Sequence, residues 1–190
     1  MSAPGWSPWQ RRLHWWVAGL LVLTAGLALA MVNLPMSQLL AKFLAYQLHK
    51  SFGLLVLGLV LVRLVLRALR PAPELTGLSP GMRRLARWGQ GALYALLLLV
   101  PLLGWLAGQA AAGPVPTTLF LVIPLPHVLD PNPALYAWLR PLHQALAYGL
   151  LALGAAHAAL AVKHHREGLP VLARMAGRGF SSGARPPSGP

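Results

Sequence analysis

The sequence predicts an all-α membrane protein, a four-transmembrane-helix bundle with both termini in the cytoplasm. Three observations carry that prediction. Of 190 residues, 56% are hydrophobic and only 10% are charged, against about 25% charged in an ordinary soluble domain. Four apolar runs each approach the ~20 residues that a helix needs to cross the hydrocarbon layer. Thirteen of the sixteen Lys and Arg residues fall on one side of those runs.

The first run is Leu13–Val32, preceded by Arg11 and Arg12. With Ala28-Leu29-Ala30 it mimics a cleavable leader, but its length is that of a retained span. The second, Phe52–Leu69, contains Arg63 and, nearer its end, Arg67, the two charges within the four cores. A short surface helix is expected just before it, over Leu39–Gln47. The third, Gly91–Ala112, contains Pro101, which is expected to kink it while neighbouring helices tolerate the break. The fourth is Ala145–Val162. The connection before it, Gly113–Pro141, is long and Pro-rich, with Tyr136 and Trp138 expected as anchors at the membrane interface. Residues 1–176 form the membrane domain. The remainder, 177–190, is rich in Gly, Ser and Pro and reads as a disordered cytoplasmic tail.

The net charge of +13 is explained by where the cations lie. Two precede span one, six lie at or between the ends of spans two and three, and five follow span four. Opposite them stand Lys42, Lys50 and Arg140. The positive-inside rule then places both termini in the cytoplasm. The basic loops suit anionic lipid head groups rather than nucleic acid. With no Cys, disulfide scaffolds, iron–sulfur clusters, thiolate zinc sites and covalent haem attachment are excluded. Glu74, Asp130 and Glu167 are the only acidic residues, too few for carboxylate dyads or carboxylate metal cages.

Ionisable residues inside a membrane are costly and mark function by default. His14 opens span one and His157 lies toward the same side on span four. His49 and His143 open spans two and four on the opposite side. His143 and His157 are fourteen residues apart, about 40° short of four full turns, so they share a helix face and lie ~21 Å apart in depth. Topology pairs His143 with His49 and His157 with His14. Two facing imidazoles at one depth suit the two axial positions of a haem iron. Zinc is the competing metal, but it takes about four ligands where each level offers two. Without C-x-x-C-H the haem is b-type, and two pairs make two haem b. Gly19, Gly53, Gly149 and Gly154 leave gaps suited to a planar macrocycle, or simply allow close helix packing. Arg63, fourteen residues after His49, is placed to pair with a haem propionate; snorkelling is its competing role.

Around these residues the chain resembles the bacterial di-haem cytochrome b-561 family. The matching stretches are Arg12-Leu-His14-Trp-Trp, Leu48-His49-Lys-Ser-Phe-Gly53, Val62-Arg63-Leu-Val-Leu-Arg67, Pro101-Leu-Leu-Gly104-Trp, Leu142-His143-Gln-Ala-Leu-Ala-Tyr148 and His157-Ala-Ala-Leu-Ala-Val-Lys163-His164-His165. No one stretch is specific; their order is. The chain departs from several members in having no His in span three, which supplies no ligand in the pairing above. The resemblance implies four helices holding two non-covalent haems through His14, His49, His143 and His157, and electron exchange with quinone. In size the chain resembles the family's stand-alone superoxide oxidases, which take an electron from superoxide outside and reduce ubiquinone near the cytoplasm. On that reading Lys42, Lys50 and Arg140 steer the anion, and His164, His165 and Lys163 hydrogen-bond and protonate the quinone. The alternative is a haem b subunit serving a dehydrogenase, hydrogenase or periplasmic cytochrome. A non-redox scaffold or metal transporter is the remaining class.

Overall fold

The computed structural model describes residues 6–70, 78–111, 113, 117–169 and 171–177. Its element order is α1 (Pro8–Asn33), a single 3-10 turn (Met36–Gln38), α2 (Leu39–Leu69), α3 (Pro80–Ala110), β1 (Thr118–Leu119), β2 (Ile123–Pro124), α4 (Pro133–Arg166) and α5 (Val171–Ala176). α1, α2, α3 and α4 are each long and apolar enough to cross a membrane. The predicted four-helix bundle is therefore present. The start of α1 and the ends of α2 and α4 share one end of the bundle, called here the termini end. The β1–β2 hairpin marks the other.

Helix starts follow capping chemistry. Ser7 and Gln10 form a capping box, with Gln10 N donating to Ser7 Oγ at 3.2 Å and Ser7 N to Gln10 Oε1 at 3.0 Å. Ser79 and Asn132 cap α3 and α4, and Pro8, Pro80 and Pro133 each open a first turn, where a missing N–H is harmless. The buried Gln10 also donates from Nε2 to Arg70 O at 2.8 Å. That bond ties the start of α1 to the end of α2. α4 closes in a Schellman motif: Leu169 N donates to His164 O and Gly168 N to His165 O. Gly168 has φ +88°, which favours a residue without Cβ.

α1 packs along α2, α3 along α4, and α2 touches α3. Between the bundle ends, Val17, Val56, Val60, Leu97, Val100 and Leu150 form a buried cluster. Large apolar side chains such as Val22, Leu29, Leu61 and Val65 are exposed, as suits lipid-facing surfaces. Helix association in that solvent depends on packing and polar contacts rather than on hydrophobic burial.

Three local expectations change. Leu39–Gln47 is not a separate surface helix; it is the first part of α2, because no Pro or Gly interrupts the chain before Gly53. α4 starts at Pro133, so the Pro-rich connection is shorter than expected and contains the hairpin. α5 was not foreseen, and the tail expected over 177–190 lies, from 178 onward, outside the described residues. Glu74 lies outside them as well.

Candidate functional site

Two histidine pairs stand at the two ends of the bundle. His49 on α2 and His143 on α4 have ring centres 6.3 Å apart with planes at 83°. His14 on α1 and His157 on α4 have ring centres 6.4 Å apart with planes at 68°. α4 supplies one member of each pair and lies along α3, while no extended backbone packing joins it to α1 or α2 among the described residues. A slot therefore separates α4 from α1 and α2, spanned by imidazoles. Leu150, buried at 2% exposure, sits seven residues from each histidine of α4 and fills the depth between the pairs.

The hairpin-end pair is held by backbone. His49 Nδ1 donates to Thr24 O on α1 at 2.9 Å, and His143 Nδ1 donates to Val100 O on α3 at 2.9 Å. A carbonyl oxygen only accepts, so each Nδ1 carries the proton and each Nε2 keeps its lone pair for a metal. Gly104 completes the seat of His143. A Cβ there would come within 2.7 Å of His143 Cε1, so the ring rests on bare backbone. Beside it the Trp105 Nε1–H is buried without an acceptor among the described residues.

The termini-end pair is held by charge. Arg63 Nη1 lies 2.9 Å from His14 Nδ1. A guanidinium only donates, so here Nδ1 accepts and the ring proton sits on Nε2. Ligating a metal through Nε2 requires Arg63 to release the ring and find another acceptor. Arg63 and Arg67 also stand over the Tyr94 ring, at 5.6 and 5.7 Å. Arg67 Nη2 donates to Gln90 Oε1 at 3.3 Å.

The pairs suit haem iron. Two metal–nitrogen bonds of about 2 Å, plus about 1 Å from each nitrogen to its ring centre, separate the ring centres by about 6 Å. Both pairs match that spacing. Among the described residues no group of three or more His, Cys, Asp or Glu gathers for a tetrahedral ion. A Cβ on Gly19, Gly53, Gly149 or Gly154 would meet nothing within 4 Å, so all four glycines face open space.

The remaining candidates are scattered. Lys42 Nζ donates to Leu34 O at 2.8 Å and caps the end of α1. Lys50 Nζ donates to Thr117 Oγ1 at 3.3 Å, with its stem against Gly108. Arg140 is exposed on α4, three residues before His143. The three cations do not converge on a shared partner. His164 Nδ1 lies 3.2 Å from Glu167 Oε2, and Lys163 Nζ lies 3.9 Å from Glu167 Oε1. His165 is exposed. A cleft of about 700 Å³ opens at the termini end between α1 and α5, lined among others by Arg11, Arg12, Trp15, Trp16 and Gly19. Trp15 Nε1 donates to Met175 O at 3.2 Å, and the Trp15 ring meets His14 edge-on at 5.2 Å.

The β1–β2 hairpin roofs the other end. Ser51, two residues after His49, donates to Gln47 O at 2.8 Å and accepts from Phe120 N at 2.8 Å. Phe120 meets Phe52 edge-on at 5.3 Å. Phe120 and Leu121 both have positive φ, 48° and 65°, an arrangement usually given to Asn-Gly.

Residues 5–178 match the family model described as prokaryotic cytochrome b561. The chain belongs to that family. It is 34% identical over 122 residues to cytochrome b561 homolog 2 of Escherichia coli K12, covering 64% of each chain. It is 39% identical over 118 residues to cytochrome b562 of Cereibacter sphaeroides, covering 58% of this chain and 73% of that one. The chain thus matches just under two thirds of the Escherichia coli relative's length. Membership and the four apolar helices make the chain a multi-pass bacterial membrane protein of a family described as cytochromes b.

Proposed function

We propose that the protein is a superoxide:ubiquinone oxidoreductase of the bacterial inner membrane. The observation that carries the reading is the repeated pair: two facing imidazoles at haem-ligand spacing at each end of one slot. In this reading the hairpin end faces outward and the termini end faces the cytoplasm. Bound iron supplies one-electron chemistry at each end. His49 and His143 would hold one haem b, and His14 and His157 would hold the other. Thr24 O and Val100 O fix the imidazoles of the first pair with Nε2 free. The unpaired Trp105 indole suits a haem carboxylate near that pair. Arg63, once it leaves His14, suits a propionate of the second haem.

Two superoxide anions each give up one electron and leave as dioxygen. Lys42, Lys50 and Arg140 supply the positive potential that draws the anion in. At the termini end two electrons and two protons convert ubiquinone to the quinol. The cleft beside Trp15 suits the quinone ring, since Trp15 also touches His14, and Arg11 and Arg12 suit its oxygens. His164, His165 and Lys163 stand near the end of α4 to pass protons from the cytoplasm.

The test is haem content by pyridine haemochrome, followed by stopped-flow mixing of the oxidised protein with superoxide. Two haems reduced by superoxide alone, with quinol produced, support the reading. Two haems that superoxide does not reduce favour a haem b subunit fed by a separate redox protein. Colourless protein made with haem available overturns both.

A further inference from the structure

We propose that Arg63 sets the direction of electron flow by making the termini-end site the more readily reduced of the two. The inference rests on the two-haem reading above. Reduction removes one positive charge from an iron centre, so a neighbouring fixed cation favours it, and more strongly in a weakly polar interior than in water. Arg63 is such a cation. It lies 2.9 Å from His14, and Arg67 stands across the same Tyr94 ring. Neither is paired with a carboxylate among the described residues, where both ion pairs belong to Glu167. If Arg63 binds a propionate it cancels a negative charge near the iron, which acts in the same sense.

The hairpin end is built the opposite way. Both imidazoles donate from Nδ1 to backbone carbonyls at 2.9 Å. That bond makes the ring more basic and favours the oxidised, more positive iron. Of the three cations at this end, Lys42 is bound to Leu34 O and Arg140 is exposed to solvent, which screens it; Lys50, which follows His49 directly, opposes the effect most closely. Its ammonium is held at Thr117 by the hairpin, whereas the Arg63 side chain reaches the depth of His14 itself. The two designs therefore separate the sites in potential, with the electron favoured at the termini end. The transfer would make and break no bond: one electron would leave the hairpin-end site and one would arrive at the termini-end site.

Potentiometric titration followed by haem absorbance tests this, using one-haem variants. His143→Ala retains the termini-end haem and His157→Ala the hairpin-end one. The first is expected to show the higher midpoint, by at least about tenfold in electron preference, or 59 mV for a one-electron couple. Arg63→Gln lowers the termini-end midpoint and leaves the other in place, Arg63→Lys largely preserves it, and Lys50→Gln widens the gap. Equal or inverted midpoints overturn the proposal, as does an Arg63→Gln protein with two haems and unshifted potentials. Should Arg63→Gln lose its haem, Arg63→Lys decides: a collapsed gap overturns the proposal and a preserved one supports it. Fewer than two haems in the wild type overturns the two-haem reading itself, and this proposal with it.

Discussion

The two ends of the bundle hold histidine pairs of nearly equal spacing, 6.3 and 6.4 Å, in opposite surroundings. At the hairpin end both rings lean on carbonyl oxygens of α1 and α3. At the termini end His14 faces a guanidinium. The spacing is set by where α4 stands relative to α1 and α2, and the chemistry by what each far nitrogen touches. One helix frame can therefore repeat a facing-imidazole geometry while giving each copy different electrostatic surroundings.

The comparison breaks most completely if the ends are not independent. His143→Ala is expected to halve haem content and leave the termini-end spectrum unchanged, and His157→Ala to do the reverse. Haemochrome assays checked by electron paramagnetic resonance decide this, and loss of both haems in either variant shows a single coupled site. Next in size is Gly104→Ala. The new methyl would meet the His143 ring at 2.7 Å, so about 10–100-fold weaker haem retention is expected at the hairpin end alone. Haem transfer to apomyoglobin measures it.

A smaller effect is expected from Ser51→Ala, which leaves the Phe120 N–H without its acceptor. The loss is about 1–3 kcal/mol, concentrated in the hairpin and read as faster hydrogen exchange over 117–125. The smallest change sharpens the comparison from the favourable side. Leu121→Gly, at φ 65°, relieves a left-handed conformation that costs about 1 kcal/mol, so the hairpin is expected to exchange more slowly. Faster exchange would show that the exposed Leu121 side chain contributes more than its backbone costs.

The spans and the histidine pairing were legible because helical arithmetic needs only residue numbers. Fourteen residues from His143 to His157, and from His49 to Arg63, fix depth and face before any coordinates exist. The partners of those histidines were not legible. Thr24 and Val100 act through carbonyls that every residue possesses, so nothing in their identity signals the role. Gly104 was one small residue among many, and only the nearby His143 ring distinguishes it. The hairpin was hidden for a different reason: Phe-Leu occupies a turn whose usual signature is Asn-Gly, held there by Ser51 and Phe52 from a distant helix. Arg63 was placed at the right depth, but its bond to His14 depends on a rotamer that spacing does not determine.

The cluster of Val17, Val56, Val60, Leu97, Val100 and Leu150 occupies the depth between the two histidine levels. Its side chains carry no hydroxyl, amide or charge, so they offer water no foothold and protons no relay. Electrons can cross such a layer, but ions cannot follow them. On the proposed reading the bundle is thereby an insulated conductor: it would join redox reactions on opposite faces of a membrane without discharging the ion gradient that the membrane maintains.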